Sequence, residues 1–268
     1  MGSAAALVLA AAVLAAPPPN ARIPSEPAEL ARALTEDTEA LHAGIDVWRG
    51  HGEVPADVEL EALYQQRIFI RLTGKPRLAR AVLARLRGGI RREAAETLAA
   101  RAALVRLTPP TRRPLRSFRT GPPARATSLL AWYREAERRF GVGWHVLAAV
   151  NFVESGFGKL RSDSTAGAQG PMQFVPGTWR AYGLGGDVRD PHDAILGAAN
   201  YLRASGAPRD YRRALYAYNR SPLYVDAVLR YANQMKRNIR AFYGYYAWQI
   251  WVRTPAGPRR LTGPGLAR

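Results

Sequence analysis

Glu154 is the residue best placed to do chemistry. It is the only acid between Val142 and Ser155, and it ends a strongly apolar helical pattern just before Gly156-Phe157-Gly158. A carboxyl there loses hydration on its folded side and sits at the negative end of a helix dipole. Both effects disfavour ionisation and raise the pKa. A carboxylic acid that stays protonated near neutral pH can act as a general acid. The plainer account of the same segment is a Glu at a frayed helix end that faces water.

Three signatures follow downstream. Gly170-Pro171-Met172-Gln173-Phe174 comes after the small-residue loop Ser164-Thr165-Ala166-Gly167-Ala168-Gln169. Ala198-Ala199-Asn200-Tyr201-Leu202 reads as helix, and Ala217-Tyr218-Asn219 ends another helix before Ser221-Pro222. Any one of these is weak, and Ala-Tyr-Asn is common by chance. As an ordered set beginning with Glu154-Ser155, they resemble the lytic transglycosylases, bacterial murein-cleaving enzymes with a lysozyme-like fold. The resemblance covers about residues 128–252. The wording from Gln169 to Trp179 is most similar to the soluble or membrane-bound murein transglycosylase branch.

Glycoside cleavage normally uses two carboxyl groups. Asp163, Asp187, Asp190, Asp193, Asp210 and Asp226 all stand in polar or helix-start contexts, which leaves Glu154 as the one acid in a distinctive setting. The resemblance implies a reaction suited to that. One Glu protonates the oxygen linking N-acetylmuramic acid to N-acetylglucosamine. It then accepts the proton of the muramyl C6 hydroxyl as a 1,6-anhydro bond closes.

The resemblance also implies supporting, substrate-binding roles. Ser155 would bond substrate or orient the acid, Met172 would form an apolar wall, and Gln173 would contact an N-acetyl or peptide group. Tyr218 would bring its hydroxyl near the acid, and Asn219 would bond substrate or hold the loop. Pro171 stands where many relatives carry Leu, which implies a stiffer loop. Plainer accounts exist: Met172 as core, Tyr218 as a helix-end packing residue, Asn219 as a helix cap.

No cofactor is expected. Some branches of the family carry a calcium loop, but Asp187-Val188-Arg189-Asp190 is too short and contains an Arg, so no metal is expected. His42, His51, His145 and His192 are scattered and read as structural. A muramidase on the same fold would need a second carboxylate that the sequence does not single out. A non-catalytic wall-binding protein would be expected to lack Glu154.

The chain has 268 residues, 47% of them hydrophobic, which is ample for a packed core. There is no cysteine, which excludes disulfides, thiolate metal sites and a lipoprotein anchor. The net charge is +18, with the excess on and around the second half and almost all of it Arg. Such a surface favours a polyanion. Peptidoglycan glycan strands with their anionic wall are the expected partner. Nucleic acid is not, because no finger, helix-turn-helix or RNA-binding signature occurs.

The apolar run from Ala4 to Ala16 before Pro17-Pro18-Pro19 suits a signal-peptide core and is short for a bilayer span, although no Lys or Arg precedes it. The protein is expected to be exported. Cleavage near Ala15 and retention as a membrane anchor are both open.

The expected fold class is mainly α: a lysozyme-like helical catalytic domain with a short C-terminal β-hairpin, preceded by a small helical bundle. The chain is expected to divide into an export segment (1–20), an accessory four-helix unit (21–108), a Pro/Arg-rich linker (109–127), the catalytic domain that the resemblance implies (128–252) and a basic hairpin and tail (253–268). In the bundle, Leu30, Leu34, Leu41, Ile45 and Trp48 share one helix face. Helices are expected to Arg87 and, after Gly88-Gly89, to Leu107. In the second half they span Thr127 to Phe140, the Glu154 segment, Pro176 to Tyr182, Pro191 to Ala204, Asp210 to Tyr218 and Pro222 to Arg240. Asp190 reads as an N-cap with Pro191 at N1 and Asp193 at N3. Tyr243, Tyr245, Tyr246, Trp248 and Trp251 form an aromatic cluster near the hairpin, where period-two placement puts Tyr246, Trp248 and Ile250 on one face, read as core, and Gln249 and Trp251 on the other. Trp251 is the candidate to line a cleft. Residues 120–268 are expected to fold by themselves.

Overall fold

The computed structural model describes residues 15–266, so most of the apolar run read as an export segment lies outside the described residues. The first helices follow the apolar spacing. In α1 (Pro27–Trp48), Leu30, Leu34, Leu41, Ile45 and Trp48 are all buried. They face α2 (Ala56–Thr73), which is followed by α3 (Pro76–Leu83) and α4 (Gly88–Leu107). α3 stops at Leu83 rather than at the expected Arg87, and Gly88-Gly89, expected to break the helix, open α4 instead.

The second half contains α5 (Ala126–Phe140), α6 (Trp144–Ser155), α7 (Pro176–Tyr182), α8 (Pro191–Ala204), α9 (Tyr211–Tyr218), α10 (Pro222–Arg237) and α11 (Ile239–Ala247). A proline in the first turn starts α7, α8 and α10, where its missing N–H costs nothing. Asp190 caps α8 as expected, accepting from the amides of His192 and Asp193. The chain ends in an antiparallel hairpin, β1 (Trp251–Thr254) and β2 (Gly257–Arg260), with Trp251 opposite Arg260 and Thr254 opposite Gly257. The fold is thus mainly helical with one small C-terminal hairpin.

Two expectations are corrected. Helix α10 stops at Arg237, and Asn238 caps a separate helix, α11, by accepting from the Arg240 amide. Tyr246, expected at strand period, therefore lies on a helix together with Tyr243 and Tyr245. Their helix is buried from Ala241 to Ala247, so it shows no polar face to set a period.

The two halves pack against each other. One hydrophobic core runs through both. α4 packs along α10, and buried Thr97 of α4 pairs at 2.8 Å with the Tyr245 hydroxyl of α11, which donates to Gln234 of α10 at 2.9 Å. From α2, Gln66 donates to the Gln249 carbonyl and accepts from the Gln249 amide and from the Trp251 indole. That last bond spends the polar edge of Trp251, the expected cleft-lining residue, inside the fold. The proline-rich stretch is extended but is no free tether. Thr120 bridges Leu160, the Gly121 amide donates to the Lys159 carbonyl, and the Arg161 amide donates to the Arg119 carbonyl. Residues 120–268 on their own would expose the α10 face that α4 covers.

Candidate active site

Helix α6 is enclosed from Val146 to Asn151, which drives it through the centre of the fold and delivers Glu154 to its far end. Gly156, in the left-handed region, terminates the helix by donating to the Phe152 carbonyl. Glu154 itself stays half-buried, between core and surface. Burial pushes its carboxyl up to about 7, against the opposing effect of a hydrogen bond from Tyr224. The Tyr224 hydroxyl donates to Oε1 at 2.6 Å.

Tyr224 is a functional neighbour that the sequence reading did not find. It stands in the first turn of α10, two residues after Pro222, and its ring lies parallel to that of Tyr218 at 6.5 Å. Tyr218, expected to bring its own hydroxyl to the acid, spends it on the Met172 carbonyl at 2.6 Å. The motif tyrosine thus holds the Gly-Pro-Met-Gln loop, while the second tyrosine holds the carboxyl. Burial and the nearby Glu154 raise both phenols well above the usual value, so both remain donors at any working pH.

That loop is tight. Gln169 and Phe174 exchange two backbone hydrogen bonds of 2.9 Å, and Gly170 sits so close to the chain that an added Cβ would stand 1.8 Å from the Val188 carbonyl oxygen. Only glycine fits. Gln173 adopts a left-handed φ of 50° and donates its side-chain amide to the Gly170 carbonyl at 2.9 Å. It stays partly exposed.

Ser155, expected to bond substrate or orient the acid, and Met172, expected to form an apolar wall, are both buried. The Ser155 hydroxyl donates to the Pro171 carbonyl at 2.5 Å and accepts from the Gly158 amide at 2.8 Å. It pins the loop after Glu154 to the Gly170–Gln173 loop and has no face for a sugar. Asn219 follows α9 in an extended conformation and is half-buried, with no side-chain hydrogen bond among the described residues.

The other acids around the site are occupied. Asp163 pairs with Arg189 at 3.0 Å, and Asp226 pairs with Arg212 at 2.9 Å. Asp187 and Asp210 accept backbone amides from Arg189 and Arg213, and Asp193 accepts the Asp187 amide. His192 lies 3.0 Å from Glu135, a local polar pair beside Trp132.

Residues 132–240, which hold every one of these groups, match the family model described as the Transglycosylase SLT domain. They form a lysozyme-like SLT domain. No match was found among curated proteins or among solved structures. The SLT domain supports a peptidoglycan-acting function of the lytic transglycosylase type, and so a place of work at the cell wall. No helix among the described residues is long and apolar enough to cross a membrane.

Proposed function

We propose that the enzyme cleaves the β-1,4 bond between N-acetylmuramic acid and N-acetylglucosamine with Glu154 as its single acid and base. One observation carries the reading. Glu154 is a carboxyl pressed up to about 7 at the surface end of a buried helix, while the neighbouring aspartates are engaged in ion pairs and caps. In the first step the Glu154 carboxyl gives its proton to the glycosidic oxygen. The C1–O bond breaks, and N-acetylglucosamine leaves with a free 4-hydroxyl. The muramyl C6 hydroxyl then attacks C1 and passes its proton to the Glu154 carboxylate. The acid is regenerated, and no water is consumed.

Tyr224 fits this cycle because its hydroxyl bonds the carboxylate more strongly than the acid. It steadies Glu154 in the interval when the charge exists. Gln173 and Asn219, both partly exposed beside the acid's loops, are the proposed contacts for N-acetyl or peptide groups. Ser155, Met172 and Tyr218 act one step back, by fixing the two loops against each other. The protein is proposed to reach the wall by export, with the segment read as 1–20 serving as its address.

Mass analysis of products from purified murein tests the chemistry. Muropeptides ending in 1,6-anhydro-muramic acid, one water lighter than the hydrolysis products, are expected. Reducing ends alone would place the enzyme with the muramidases, and binding without cleavage would make it a wall-binding protein.

A further inference from the structure

We propose that Lys159 is a positioning residue for the reaction: its buried ammonium ties the loop that follows Glu154 to the C-terminal end of α11, and so fixes the depth at which the acid sits. This rests on the reading of Glu154 as the reacting acid. Lys159 is one of only three lysines in a chain whose positive charge is otherwise arginine. It lies inside the protein, and its Nζ donates to the carbonyls of Tyr246 and Trp248, the latter at 2.5 Å.

The Tyr246 carbonyl belongs to the last turn of α11 and that of Trp248 to the residue that caps it, where helix acceptors are left unpaired and the dipole is negative. Gln249 takes the Ala247 carbonyl between them. The helix end is therefore closed by side chains, and one of these comes from the catalytic loop.

The loop needs such a tie. Between Glu154 and Lys159 the chain passes through three successive left-handed residues, Gly156, Phe157 and Gly158. For Phe157, with φ of 64°, that conformation is strained, and strained residues persist only where their surroundings over-determine them. Phe157 is wedged against Phe152, Phe242 and Tyr246, and Lys159 fastens the chain immediately after it. Freed at Lys159, the loop could relax outward, and water would reach Glu154.

Burial lowers the Lys159 amine to about 7, with Glu59 of α2 acting in the opposite direction. Tyr246 of α11 lies beneath it, and Glu53 and Arg125 line the same cleft of about 400 Å³. The cleft leaves space for a longer side chain.

Lys159→Met and Lys159→Arg in the full chain test this, on soluble glycan strands prepared from murein. In Lys159→Met, kcat is expected to fall about tenfold with KM held within about twofold, as for a misplaced acid. The alkaline limb of the kcat profile should move down by about one pH unit, because a hydrated Glu154 ionises earlier. The Gly158 and Leu160 amides, which donate to Ser155, should exchange hydrogen faster. Lys159→Arg should recover most of kcat and the parental pH limb, since a guanidinium still donates twice.

Lys159→Met with parental kcat and an unmoved limb would overturn the proposal. So would equal losses in both variants with parental amide exchange, which would mean packing alone. Should Lys159→Met fail to fold, Lys159→Gln, which can serve one carbonyl, carries the same readouts. Product mass separates the two readings: reducing ends would sink the transglycosylase assignment and leave a Lys159 effect on kcat standing.

Discussion

Asp37 in the N-terminal helices and Glu154 in the catalytic half are both carboxyls that burial holds above their ordinary range. Asp37 is sealed between α1 and α2, facing Glu61, with 5% of its surface exposed. Glu154 sits at a helix end that reaches the surface, with a tyrosine hydroxyl donating to it. A dehydrated acid is thus a consequence of packing, and it becomes a reagent only where a ligand can reach it and where its charged form has a donor waiting. Asp37 lacks both: burial first, and then the neighbouring acid Glu61, raise its carboxyl, and it is closed off from any ligand.

Breaking the Glu154 side should give the largest effect. Glu154→Gln keeps the shape and removes the proton, so turnover is expected to fall by about 10²–10⁴-fold in a murein-solubilisation assay, with binding to murein retained. Its stability should hold at pH 5 and exceed the parent's at pH 8. An acid whose folded pKa is raised contributes most below its unfolded value and loses that contribution as pH rises through about 7. Parental turnover in this variant would end the one-acid mechanism.

Tyr224→Phe should cost about tenfold in kcat, the worth of one hydrogen bond to a charged group. The lost bond favoured the carboxylate, so the alkaline limb of the activity profile should move to higher pH, opposite to the shift expected for Lys159→Met. An unmoved or lowered limb would mean that the bond does not act on the ionised acid.

Asp37→Asn sharpens the other side. Activity should be parental. In the parent, Asp37 contributes stability fully below about pH 4 that is lost as pH rises through its raised folded value, and thermal melts should show this slope flattened in the variant. Lost turnover in a folded Asp37→Asn protein would make the sealed acid functional after all. Asp163→Asn should do least. The pair with Arg189 is largely exposed, worth about 0–1 kcal/mol, and activity should stay within about twofold.

Helices were legible where one face is apolar and the ends carry proline or glycine, as in α1, α8 and α10. Helix α11 was not, because Phe242, Tyr243, Tyr245 and Tyr246 are buried all round, and a stretch without a polar face shows no period. Glu154 was legible as a lone acid in an apolar run. Tyr224 was not. Seventy residues separate it from the acid, and only the packing of α10 on α6 brings it there. Its one local signal is its place in the first turn of a proline-started helix, just after the Ala217-Tyr218-Asn219 motif. Ser155 and Met172 were found as residues, but their burial was not, since a motif does not say which side of a loop faces inward. The sharing of one core by both halves was hidden for a similar reason: proline density describes how a segment bends, and is silent on what lies beside it.

Gln66 of α2 closes on the backbone of Gln249 and the indole of Trp251, and Thr262 donates to Gln249 and accepts from the Ile250 amide. A helix made early in synthesis therefore waits for residues made nearly last. Until residues 249–262 exist, Gln66 has none of these partners, so the join between the first helices and the hairpin is among the last contacts the chain can make.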